Sequence, residues 1–136
     1  MSTQVQPVAI AAATLEPDRA VSIANQIALD LYDCSSEQFD DIDWVRSVML
    51  EAATIIGATI VETVFHKFAP WGISGVVVIS ESHIAIHTWP ERRFAAVDIF
   101  TCSSSMDFNP AVRYLTEAFR SRRPNVRRIP RGERLA

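Results

Sequence analysis

The groups in this chain that could do chemistry are concentrated in the run SESHIAIHTWPE, residues 80–91, and in the VDIFTC that follows at 97–102. Glu81, Ser82, His83 and His87 bring a carboxylate, a hydroxyl and two imidazoles, and Asp98 and Cys102 add a second carboxylate and a thiol. Hydroxyls and thiols become nucleophiles when a base stands beside them, and imidazoles move protons near neutral pH. The run begins directly after the apolar GVVVI, which reads as a buried strand, so polar groups enter a segment that starts in a core.

Strand parity sorts these groups. Alternate side chains of an extended chain face opposite ways, so Ile84 and Ile86 point one way and His83, Ala85 and His87 the other. In FAAVDIFTC (94–102), Val97 and Ile99 are the aliphatic pair, with Ala96, Asp98, Phe100 and Cys102 opposite. If both aliphatic faces pack on one core, the two strands pair antiparallel around PERRF. His83, His87, Asp98 and Cys102 then share a face, and Cys102 falls near Ser82 and His83. From the residues alone the reaction stays open. A zinc site and a cysteine–histidine hydrolase both draw on this set, although no spacing here matches a zinc pattern. Surface histidines, a small buried cysteine and a cross-strand aspartate would account for it equally well.

The elements that must position the set follow from periodicity. IALDLYD, from Ile27, predicts a first strand. Asp40 or Asp41 can cap a helix whose apolar face is Val45, Val48, Met49, Ala52 and Ile56, and Gly57 stops it. ATIVETVFHKF (58–68), ISGVVVI (73–79), HIAIHTW (83–89) and FAAVDIFTC predict four more strands, with turn signals in APWG. Asn109-Pro110 starts a second helix as cap and first residue, with Val112, Leu115 and Phe119 inward; Pro124 closes it, and NVRRI (125–129) predicts a short edge strand. The order βαββββαβ predicts an α+β fold: a two-layer sandwich, largely antiparallel, with both helices on one face.

At 136 residues, 49% hydrophobic and 21% charged, the chain fits one globular domain, and a net charge of −3 gives no general argument for nucleic acid or membrane binding. Seven of the thirteen basic residues are arginines between Arg120 and Arg134, which reads as a solvated face or as a patch for an anionic partner. Two distant cysteines, Cys34 and Cys102, suggest a reducing, cytoplasmic setting. Residues 1–20 read as a loose arm whose apolar VAIAAATL has no basic residue before it, unlike an export signal, and no run reaches the length of a membrane span.

The segments LDLYDC, FHKFAPWGISGVVVISESHIAIHTWPE and AAVDIFTC resemble the prokaryotic, pyruvoyl-dependent S-adenosylmethionine decarboxylases over about residues 27 to 132. The resemblance implies a domain at 21–132, a tail at 133–136, and a proenzyme that cuts itself between Glu81 and Ser82 into chains 1–81 and 82–136. Ser82 becomes the pyruvoyl group that forms a Schiff base with the substrate. His87 is implied as proton acceptor in processing, Ser74 as its helper, and Cys102 as proton donor in catalysis. Phe68 is implied to stack on adenine and Glu91 to hold the ribose hydroxyls. No metal is implied. The product would be the aminopropyl donor for spermidine, and the processed protomers would pair as a homodimer.

The chain departs from the family's pattern at ANQ (24–26), where a Gly-x-His-like element is usual, and at Ser103, where glycine is common. Alternatives are therefore the same machinery acting on ornithine or arginine, or a non-catalytic regulatory paralogue. Retention of Phe68 and Glu91 favours the adenosyl substrate; retention of Ser82, His87 and Cys102 favours an enzyme.

Overall fold

The computed structural model describes residues 22–103 and 105–133; the arm expected over 1–20 lies outside them. The elements run β1 (Ala24–Cys34), α1 (Ile42–Ile55), β2 (Ile60–Lys67), β3 (Ile73–Ile79), β4 (Ser82–Trp89), β5 (Phe94–Thr101), α2 (Asn109–Ala118) and β6 (Ser121–Arg131). All six strands join one sheet in the order β2-β3-β4-β5-β1-β6, and every neighbouring pair is antiparallel. The helices lie together on one face, so the chain adopts the expected βαββββαβ sandwich.

The alternation read from the sequence decides which face they cover. Ile27, Leu29 and Leu31 of β1, Ile73 and Val77 of β3, Ile84 and Ile86 of β4, and Val97 and Ile99 of β5 are fully buried against Val45 and Met49 of α1 and Val112 and Leu115 of α2. Burying one such side chain is worth roughly 1.5–3 kcal/mol, so shifting either hairpin strand by one residue would expose several of them at once.

Local details differ from expectation where a side chain found a better partner. Asp41 is the cap of α1, accepting from the N–H groups of Asp43 and Trp44 at 3.0 and 3.2 Å. Asp40 instead accepts from Gly72 N–H at 2.9 Å and pairs with Lys67 at 2.8 Å, tying the start of α1 to the β2–β3 loop. Asn109 is not a cap. Phe108 holds that position and Asn109 opens α2, its N–H donating to the Asp107 carboxylate at 3.1 Å. Nor does Pro124 close α2, which ends at Ala118; Arg120, at φ 54°, turns the chain. Pro124 sits inside β6, opposite Leu31. β6 is an edge strand, where proline's missing N–H costs no ladder bond, so it runs eleven residues rather than the five expected.

Among the described residues, no helix covers the other face of the sheet. It displays Val64, Val76, Val78, Ala85, Ala96 and Trp89 among polar residues, with Val64 57% and Trp89 39% exposed. Asp30 lies on this face opposite Ala96. Burial pushes its carboxyl above the ordinary range; Arg127 opposes the shift and Asp98 adds to it. A carboxyl raised on folding favours the fold while protonated, and this contribution is lost as pH rises through its folded pKa. Asp30→Asn should therefore raise the thermal midpoint at pH 7, and the gain should vanish below about pH 4, where an unfolded aspartate is also protonated. A lower midpoint at pH 7 would mean that the attraction to Arg127 outweighs burial.

Candidate active site

The tip of the β3–β4 hairpin is a two-residue turn, because Ile79 pairs with Ser82 and leaves Ser80 and Glu81 between. Tight hairpin turns demand positive φ angles and usually meet them with glycine or asparagine. ISESH contains neither, and the positive φ falls on Ser82, at 148°. For a residue carrying a Cβ such backbone costs on the order of 1–3 kcal/mol. Asp33, Arg93 and Arg120, at 51–55°, lie in the milder left-handed well.

Neighbouring chain fixes this tip. Ser80 N–H donates to Thr59 O at 2.9 Å, and Thr59 N–H donates to the Glu81 carboxylate at 3.3 Å. Cys102 N–H donates to the Glu81 carbonyl at 3.1 Å, which places exposed Cys102 beside the Glu81–Ser82 bond. The His83 ring stacks on Phe100 across the ladder, centroids 5.8 Å apart.

A second cluster lies at the far end of β4. Ser74 is opposite His87, and Ser74 Oγ is 2.9 Å from His87 Nδ1. Beside them an open pocket of about 350 Å³ is lined by Phe68, Trp71, Ser74, His87, Trp89 and Glu91, among others. Phe68 is held by His66, edge-on at 4.5 Å, and by its N–H donating to Gly72 O at 2.8 Å. Gly72, at φ 107°, serves that loop closure, and a Cβ there would come within 3.3 Å of Thr88 O. Glu91 rides on a single 3-10 turn, Pro90–Arg92. The indoles of Trp71 and Trp89 were not singled out from the sequence. Trp71 stood in a turn signal and Trp89 at a strand end, and only their exposure marks them as more than packing.

The candidate residues thus fall into two groups, not one. Glu81, Ser82, His83 and Cys102 gather at the hairpin tip; Phe68, Ser74, His87 and Glu91 gather at the other end. Ser82 and His87 are five residues apart along one strand, about 16 Å at a rise of ~3.3 Å per residue. His83, His87, Asp98 and Cys102 do share the helix-free side. Asp98, however, faces Ala85 and accepts from Gln26 Nε2 at 3.4 Å rather than partnering either histidine. The other thiol is buried: burial, with Asp33 adding and Arg93 opposing, pushes Cys34 up to about 12, and its Sγ–H donates to Leu31 O.

The sequence profile of S-adenosylmethionine decarboxylase matches residues 25–132, a span that contains both groups. The chain belongs to the S-adenosylmethionine decarboxylase family. It is 51% identical over 118 residues to a Pseudomonas aeruginosa protein called S-adenosylmethionine decarboxylase proenzyme, covering 87% of this chain and 74% of that one. A protein of the same name from Fervidobacterium nodosum is 49% identical over 112 residues, 82% of each chain. Among solved structures, the adenosylmethionine decarboxylase of Aquifex aeolicus superposes with a TM-score of 0.72 at 31% identity, covering 83% of this chain and 93% of that one. Among the described residues of this decarboxylase-family chain, no helix is long and apolar enough to cross a membrane.

Proposed function

We propose that the chain is a self-processing, pyruvoyl-dependent S-adenosylmethionine decarboxylase, cut between Glu81 and Ser82 within a domain spanning 21–132, and working in the cytoplasm on the substrate that yields the aminopropyl donor for spermidine. The observation that carries this reading is the strained Ser82 next to a Glu81 carbonyl already hydrogen-bonded by Cys102 N–H. Ser82 Oγ attacks that carbonyl carbon, the peptide C–N bond breaks, and an ester forms with a free amine on residue 82. The oxyanion of this step faces the Cys102 N–H, a donor aimed where charge develops. A base then removes the Cα proton of residue 82, the Glu81 carboxylate leaves from Cβ, and water replaces the nitrogen as ammonia departs, giving the ketone.

The pyruvoyl group at position 82 supplies a ketone for the substrate amine and a conjugated carbonyl that accepts the electrons left as CO₂ departs. Cys102 holds the proton destined for the substrate α-carbon. Phe68 offers a ring face to adenine, and Glu91 offers two acceptor oxygens to the ribose diol. These aromatic and diol-binding groups favour an adenosyl substrate over ornithine or arginine.

His87 cannot reach its own chain's Ser82, so the base, with Ser74 hydrogen-bonded to it, comes from a second copy. Apposing two helix-free faces about a two-fold axis near Ala85, with the β4 strands antiparallel, brings each hairpin tip onto the other copy's His87 cluster. This forms two complete sites per homodimer and covers Val64, Val78 and Trp89. Cys102→Ala should test the division of labour: intact mass should still show two chains, while decarboxylation falls about 10²–10⁴-fold. Wild-type turnover in this variant would remove Cys102 from the reaction.

A further inference from the structure

The structure divides the arginines at the end of the chain. Arg123 pairs with Asp33 at 2.7 Å and lies over Tyr32; Arg128 lies over Phe108; Arg131 lies over Phe100 and donates to Gln26 at 2.8 Å. Arg127 acts on Asp30. Arg122 makes no hydrogen bond or salt bridge among the described residues. It lines a separate cavity of about 420 Å³ with Asp33, Ser35 and Arg93.

Three chain reversals build this corner. Asp33, Arg93 and Arg120 all adopt left-handed backbone without being glycine, at a cost of order 1–2 kcal/mol each for such residues. Cys34 N–H donates to Arg93 O at 3.0 Å and Ser35 N–H to Arg120 O at 3.3 Å, stitching the ends of β1, the β4–β5 turn and the α2–β6 turn together. Arg93 uses one N–H on Cys34 O at 3.0 Å and keeps the rest of its guanidinium for the cavity. Asp33, the carboxylate among these lining residues, is bonded by Arg123 and also attracted by Arg122 and Arg93, so three guanidiniums share one counter-charge. Positive charge in excess of its counter-charge favours an anion in the cavity, and two guanidinium forks suit the oxygens of a phosphate.

We infer that this corner binds a small phosphate-bearing anion, clamped by Arg93 and Arg122, and that its occupancy is felt at the adenosine pocket. The link is short: Arg93 ends the 3-10 turn that carries Glu91, and its N–H donates to Pro90 O at 3.1 Å. Binding itself does not depend on the decarboxylase reading; the effect on substrate does.

Titrating the full-length protein with inorganic phosphate, at ionic strength matched with chloride, should raise its unfolding midpoint where chloride alone does not. Arg122→Ala should weaken the apparent phosphate affinity about tenfold. Arg93→Gly, which accepts the left-handed backbone more readily, should do the same. Equal phosphate binding by wild type and both variants, or no response beyond chloride, overturns the site. Ribose 5-phosphate in a parallel titration tells an ester from free phosphate, and preference for either supports the site. In turnover assays phosphate should shift the substrate KM of the wild type and leave that of Arg122→Ala unmoved. An unmoved wild-type KM, with binding intact, overturns the coupling alone. A wild type that stays uncut and inactive counts against the decarboxylase reading, while the binding titration still decides the site.

Discussion

Ser82→Ala is expected to leave a single uncut chain of 15.2 kDa with no measurable decarboxylation. Alanine removes the oxygen that must attack the Glu81 carbonyl, and no ester can form. The Cys102 N–H still polarises that carbonyl and the turn still carries its strain, so the loss isolates the nucleophile from its setting. Ser80→Ala is the matched control, since it deletes a hydroxyl two residues away in the same turn and should still cut. Without the cut there is no ketone and no electron sink, so activity should fall to background rather than by a modest factor. Cleavage of Ser82→Ala at the same bond, seen by intact mass, would sink the self-processing mechanism.

Mixing two dead variants should restore cleavage. Ser82→Ala lacks the nucleophile but keeps Ser74 and His87; His87→Ala lacks the base but keeps Ser82 and Cys102. Each alone should remain uncut. Co-expressed and paired, one of the two sites in the heterodimer combines Ser82 of the His87→Ala copy with His87 of the other. Only the His87→Ala chain should then be cut, and mass spectrometry can tell the two chains apart. The prediction follows from the ~16 Å that separates the two groups along one strand. Cleavage of His87→Ala on its own would mean that the base lies elsewhere, with His83, one residue from the bond, the first candidate. No cleavage in the mixture would remove the shared site.

Much of this was legible in the sequence because β parity is strict. Ile84 and Ile86 against His83 and His87 fixed which face of β4 is buried, and Val97 and Ile99 did the same for β5. The register carrying Cys102 to the Ser82 end followed from these. What parity cannot give is distance along a strand in relation to reach. His83, His87, Asp98 and Cys102 share a face, yet that face is long enough to hold two separate groups. Helix boundaries differed where capping had competitors: Asp40 found Gly72 and Lys67, and Phe108 took the cap position expected of Asn109, whose N–H donates to Asp107. β6 was underestimated because its prolines and arginines mask the strand pattern, and an edge strand tolerates both. The strain at Ser82 had a sequence signal, a hairpin turn without glycine, proline or asparagine, but only a backbone angle locates it on the residue after the bond.

The strand order β2-β3-β4-β5-β1-β6 decides what the proposed cut would leave behind. The first fragment would own β1, β2 and β3, and the second β4, β5 and β6. Yet β1 is wedged between β5 and β6, and β3 is laddered to β4. The fragments are interleaved, so separating them means tearing three ladders and opening the core beneath them. Such a nick would change the chemistry of one residue while leaving the two pieces mechanically a single body.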